Sequence, residues 1–185
     1  MNFVFRQFMK SYMMAVLALL SINAFAADTQ SITLEDRANI LELVAKYSFT
    51  WDAADEDGFT SLFTDDAEGN WYVNGDKKPA IAVKGLKEIR NLVPSRAATF
   101  AKKGLITKHL MPNSTIEVIS ATQAKVTTHA MIYWQLKGVD LLPRPVQAGY
   151  YHSVVEKVDG TWKFKRRDVY LNGVFNIGDV YPSFK

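Results

Sequence analysis

The chain has 185 residues, enough for one domain with a full hydrophobic core. It contains no cysteine, which excludes disulfide stapling, so the core alone must hold it together. The formal charge of +3 falls to +1 if Arg6 and Lys10 leave with an N-terminal leader, so a pI near 9.0 is no argument for nucleic-acid binding.

Residues 1–26 read as a secretory leader. Arg6 and Lys10 form the basic region, Tyr12 to Ile22 the apolar run, and Ala24-Phe25-Ala26 the cleavage site. Cleavage before Ala27 would leave one domain over 27–185, exported, and periplasmic if the source is a Gram-negative bacterium. A retained membrane anchor is the competing reading. The apolar run is short for a span of about 20 residues, and no stable membrane insertion is expected after cleavage.

Thr33 offers an N-cap, with Asp36 three residues on as an acidic capping box. The helix that follows is expected from Leu34 to Trp51 or Asp52. On a helical wheel Ile40, Leu41, Leu43, Val44, Ala45, Tyr47, Ser48, Phe49, Trp51 and Asp52 fill one broad arc. Asp52 therefore lies on the side to be buried, in the last turn, where the helix dipole opposes a negative charge. Such a carboxylate suits a general base or a partner that shares a proton with histidine. The plainer alternative is a carboxylate that bends to solvent or caps the next turn.

Asp55 caps a second helix, expected over Glu56 to Phe63, and Thr64-Asp65-Asp66 turns the chain into a strand near Ala67 to Asn74. After the polar loop GDKKPA, a third helical region carries Leu86, Ile89, Val93, Ala97 and Phe100, with Pro94 expected to kink or divide it. Strands are expected over Ile106 to Ile119, Lys125 to Leu136, Gln147 to Val158 and Thr161 to Leu171.

A turn centred on Ala121-Thr122 would set His109 opposite Trp134 on one face and turn His129 away. The Asp159-Gly160 turn would gather Tyr151, Ser153, Val155, Trp162, Phe164, Arg166 and Asp168 inward, with His152, Lys163, Lys165 and Arg167 outward. In that register Arg166 and Asp168 are candidates for a paired, partly buried charge. Helices first and antiparallel strands afterwards predict an α+β fold, a cone-shaped barrel of helices on a strongly curved, mostly antiparallel sheet enclosing a pocket.

The segments AKYSFTWDAADEDGFTSLFTDDA, KGLKEIRNLV, KHLMPNSTIEV and GYYHSVVEKVDGTWKFKRR resemble, in order, the SnoaL-like branch of the nuclear transport factor two-like superfamily. The motifs are most similar to scytalone dehydratase, the bile-acid dehydratase and the hexachlorocyclohexane dehydrochlorinase. The resemblance implies a lyase or isomerase without metal or organic cofactor, acting on a hydrophobic cyclic small molecule. It places the catalytic aspartate at Asp52, the histidine at His109 and a tyrosine at Tyr47. Two pocket tyrosines of scytalone dehydratase fall on Trp51 and Trp71, which cannot act as acid or base, and a pocket asparagine falls on Tyr151. Those departures argue against that enzyme's own substrate. Trp51, Trp71, Trp134 and Tyr151 would stack on the ligand.

Other readings stand beside this one. An exported, non-catalytic module that binds a hydrophobic small molecule would need no Asp-His contact. A homodimer joined through its sheets would use the exposed parity of Tyr150, Val154 and Val169, and is compatible with either. Zinc on the three histidines is disfavoured, because His129 and His152 phase away from His109.

Overall fold

In the computed structural model residues 31–184 are described, and from Ile32 onward the chain is one compact unit. The expected leader lies outside these residues. Helix α1, Leu34–Ala53, starts at the Thr33 capping box: Thr33 Oγ1 accepts from the Asp36 amide at 3.0 Å, and the Asp36 carboxylate accepts from the Thr33 amide at 3.1 Å. It ends with Ala54 left-handed (φ 56°), the Ala54 and Asp55 amides donating to the carbonyls of Trp51 and Thr50. This closure stops the helix just after Asp52. Its buried stripe is narrower than the predicted arc: Ile40, Leu43, Val44, Tyr47 and Ser48 face inward, whereas Leu41 and Phe49 are 46% and 74% exposed.

Helix α2, Glu56–Ser61, is capped by Asp55, and strand β1, Phe63–Val73, follows at once. Phe63 to Asp66 are thus strand, not helix end and turn, because Phe63 pairs with Phe164 across the sheet. The edge strand β2, Ile81–Lys84, has too few residues to show a period. Helix α3, Leu86–Lys102, runs through Pro94 without dividing. Strands β3, Leu105–Leu110; β4, Ser114–Ser120; β5, Gln123–Leu136; β6, Arg144–Val158; and β7, Thr161–Gly173, complete the sheet, and a short helix α4, Ile177–Val180, follows. The order is β2-β1-β7-β6-β5-β3, with β4 also on β5, and β1 runs parallel to β7. Helices pack on this curled, unclosed seven-stranded sheet, the α+β arrangement expected. Among the described residues no helix is long and apolar enough to cross a membrane.

Two irregularities decide which side chains face inward. The predicted single strand over Ile106 to Ile119 breaks at Met111-Pro112-Asn113 into β3 and β4. Starting from Ser120 opposite Gln123, one register slip follows before Val118 and another across the break. His109 therefore pairs with Ile132, and Thr107 with Trp134. Because two slips restore the parity, His109 and Trp134 still share the inner face.

The Asp159-Gly160 turn has both residues at positive φ, 48° and 79°. Its expected register holds from Val158–Thr161 to Val155–Phe164, and then a bulge intervenes: Val154 faces Arg166 and Ser153 faces Arg167. Beyond the bulge the faces exchange. Arg167, Val169 and Leu171 are buried, whereas Arg166 and Asp168 pair on the outer side at 2.9 Å. Val169 is thus removed from the proposed dimer face, while Tyr150 remains 48% exposed.

Candidate active site

The C-terminal turn of α1 and the inner face of β3 meet at Asp52 and His109. The His109 amide donates to Asp52 Oδ2 at 2.7 Å, and His109 Nδ1 lies 2.6 Å from Asp52 Oδ1. The carboxylate can only accept, so Nδ1 carries the hydrogen and Nε2 is the free acceptor. Both side chains are nearly enclosed, 9% and 5% exposed. Burial is the main influence on the imidazole and pushes it below its ordinary value, with Asp52 pulling upward and the charges of Arg96 and Arg167 pushing down. The ring is therefore neutral near pH 7, ready to accept a proton.

His109 opens onto a cavity of about 130 Å³ that Tyr47, Trp51, Trp71, Arg96, Gln147 and Tyr151 help to line. Burial raises both tyrosines above their ordinary value, so each hydroxyl keeps its proton and can donate. Trp134 does not line this cavity; it lies deeper, its ring 6.1 Å from that of Phe100. Asp52 lines a second cavity of about 220 Å³ with Arg96, Phe100 and Thr107, and Trp51 and Arg96 belong to both. A larger cleft of about 540 Å³ lies between α1, α2 and the Asp159-Gly160 turn, without a buried titratable pair.

Two arginines were not anticipated. Arg167, 1% exposed, is stacked 3.8 Å from the ring centre of Tyr47, 4.6 Å from Tyr151 and 4.4 Å from Phe164, and donates to Ser153 Oγ at 2.9 Å. The alternation along β7 turns it outward, and only the bulge brings it in. Arg96 sits 4.3 Å from the Phe100 ring centre and 5.2 Å from that of Trp51. Its signal was in the sequence: Ile89, Val93, Arg96 and Phe100 follow helical spacing as well as the set containing Ala97. His129 and His152 lie on the outer face, and among the described residues no cluster of three or more metal-ligating side chains occurs.

The curled α+β sheet with helices packed on it is a fold found in solved structures. A protein from Novosphingobium aromaticivorans provisionally named a scytalone dehydratase is 24% identical over 77% of this chain and 86% of its own, with a TM-score of 0.61. A Nostoc punctiforme protein with a cystatin-like fold is 20% identical over 76% and 94%, TM-score 0.61. A second Novosphingobium aromaticivorans protein, nuclear transport factor two-like with a cystatin-like fold, is 19% identical over 82% and 90%, TM-score 0.60. These likenesses define the fold class. The SnoaL-like domain model matches residues 33–168, and the chain belongs to that family. Among curated proteins none matches the chain in sequence.

Proposed function

We propose that the protein is a cofactor-independent, dehydratase-like lyase or isomerase acting on a hydrophobic cyclic small molecule, with Asp52 and His109 as its proton-abstracting pair. The observation that carries this reading is the two-point contact between one carboxylate and the amide and ring of one histidine, at the wall of an aromatic cavity. Asp52 fixes the tautomer and stabilises the imidazolium, as an orienting carboxylate does. His109 Nε2 takes a proton from a carbon beside an electron-withdrawing group. The electron pair forms the new double bond as hydroxide leaves, and the imidazolium or Tyr47 supplies the proton that makes it water. An isomerase would return that proton to another carbon.

The enclosing rings of Trp51, Trp71 and Tyr151 suit a flat apolar ligand. The leader pattern at 1–26 supports export before the domain acts, and a sheet-to-sheet homodimer would leave the cavity free.

The test is solvent exchange in deuterium oxide with a panel of cyclic ketones and β-hydroxy ketones, read by NMR. Exchange or dehydration by the wild type should be lost in Asp52→Asn and His109→Gln while ligand affinity persists. A ligand that binds tightly, never reacts, and is held equally by Asp52→Asn would instead make the protein a binding module.

A further inference from the structure

Four buried side-chain polar atoms have no hydrogen-bond partner among the described residues: Arg96 Nε, Thr107 Oγ1, Trp134 Nε1 and Arg167 Nε. All four can donate, and three can do nothing else. Three of them gather at one place. Arg96 and Thr107 line the 220 Å³ cavity, while Trp134 pairs across the strands with Thr107 and packs on Phe100, another lining residue. Buried donors left alone cost free energy, and a surplus of donors without acceptors calls for an acceptor from outside the chain.

The charges point the same way. Neither Arg96 nor Arg167 has an ion-pair partner among the described residues, and aromatic faces cover both guanidiniums. Asp52 is the carboxylate that lines the 220 Å³ cavity, and its two oxygens already accept from His109; among the described residues no carboxylate lines the 130 Å³ one. With the imidazole neutral and both tyrosines protonated, two positive charges face one negative charge, a balance that one more anionic group would complete.

We propose that Arg96, on the wall shared by the two cavities, forms an anion subsite with Thr107 on the 220 Å³ side, backed by Trp134, and that the molecule processed there carries a carboxylate. That the molecule is processed rests on the proposed catalytic function, but the subsite itself does not depend on it. The guanidinium offers the planar fork that fits a carboxylate, and the Trp51 and Phe100 rings limit its motion. An acid bound there would present its ring to the cavity into which His109 opens, since Arg96 belongs to both.

Benzoate and its neutral isostere benzamide are suitable probes, titrated calorimetrically into the purified protein at pH 7 and low ionic strength. Benzoate should bind at least about tenfold tighter than benzamide, the difference expected of one charge-assisted contact. Arg96→Gln should erase that preference, and Arg96→Lys should keep part of it. Asp52→Asn, which removes the opposing charge, should keep or enlarge the preference. Equal affinities in the wild type, a preference that survives Arg96→Gln, or no benzoate binding would each overturn the subsite. The wild-type comparison needs no variant to fold. Turnover separates the two ideas: if Asp52→Asn leaves exchange intact the catalytic reading fails, whatever benzoate does.

Discussion

Helix α1 carries one enclosed carboxylate in each of its terminal turns, Asp36 and Asp52, and the two have opposite surroundings. Asp36, in the first turn, accepts from the Thr33 amide and hydroxyl, from Lys157 Nζ at 2.7 Å and from Trp162 Nε1 at 2.8 Å. Lys157 and Trp162 hold it far below the usual carboxylate range, and the positive end of the helix adds to the effect. Asp52, in the last turn, faces the negative end and takes both of its direct hydrogen bonds from one residue, His109. Residue type is the same at both ends, but the partners differ. Four donors from three residues make Asp36 a fastening between α1 and the β6–β7 hairpin, whereas a single titratable partner makes Asp52 a group whose charge can act on a proton.

The sharpest way to break this contrast is to neutralise each carboxylate in turn. Asp52→Asn should lower the turnover of any substrate identified by exchange by about 10²- to 10⁴-fold, the scale of general-base catalysis, with the fold retained by circular dichroism. Asp36→Ala should do the reverse. It leaves Lys157 and the indole N–H without their acceptor and removes the Asp36 half of the capping box, at a cost of about 3 kcal/mol in denaturant unfolding, with turnover per folded molecule unchanged. A loss of stability in Asp52→Asn as large as that in Asp36→Ala would make Asp52 a second fastening.

Acid should separate the two ends by pH window. Burial holds the His109 imidazole below its ordinary value, so the unfolded chain binds its proton first as the pH falls. The stability it contributes is complete above about pH 6.5 and is lost as the pH drops toward the folded value. The Asp36 carboxyl is also depressed, but from a lower start: its contribution is complete above about pH 4 and is lost below that. Denaturation midpoints measured from pH 7.5 down to 1.5 should fall in two stages. His109→Gln should remove the first stage and Asp36→Ala the second, and a single stage that ignores both variants would remove the assignment. Activity should share the upper window, because the protonated ring cannot act as base.

The sequence made one end of this comparison more legible than the other. The Thr33 and Asp36 capping box is a local pattern, and the structure bears it out residue by residue. The contact between Asp52 and His109 spans 57 residues, and only the family resemblance connected the two positions. Local alternation predicted the faces of Tyr151, Ser153 and His152 correctly, because no irregularity intervenes there. It failed for Arg166, Arg167 and Val169, since one bulge reverses every later side chain on β7. The two slips between Ser120 and His109 cancelled, so a wrong partner still gave the right face. Arg96 is hard to read for a different reason: it is a charged residue at an apolar helical position, and its neighbour Ala97 fits the same spacing.

The smallest expected effect concerns how the two ends of α1 are closed. Thr33 closes the first end with side-chain hydrogen bonds at no backbone cost, whereas Ala54 closes the second in the left-handed region, where a Cβ is disfavoured by about 1–2 kcal/mol. Glycine would remove that penalty but lose more entropy on folding, so Ala54→Gly should stabilise the chain by only about 0.5 kcal/mol. Its effect on chemistry is the more informative reading. Ala54 lies two residues beyond Asp52 and lines the same cavity. If the hydrogen bonds to Thr50 and Trp51 alone hold the last turn, glycine preserves them and turnover should stay within about twofold of wild type. If turnover falls while stability rises, the alanine side chain itself is positioning the carboxylate, and the strained closure of the helix belongs to the site.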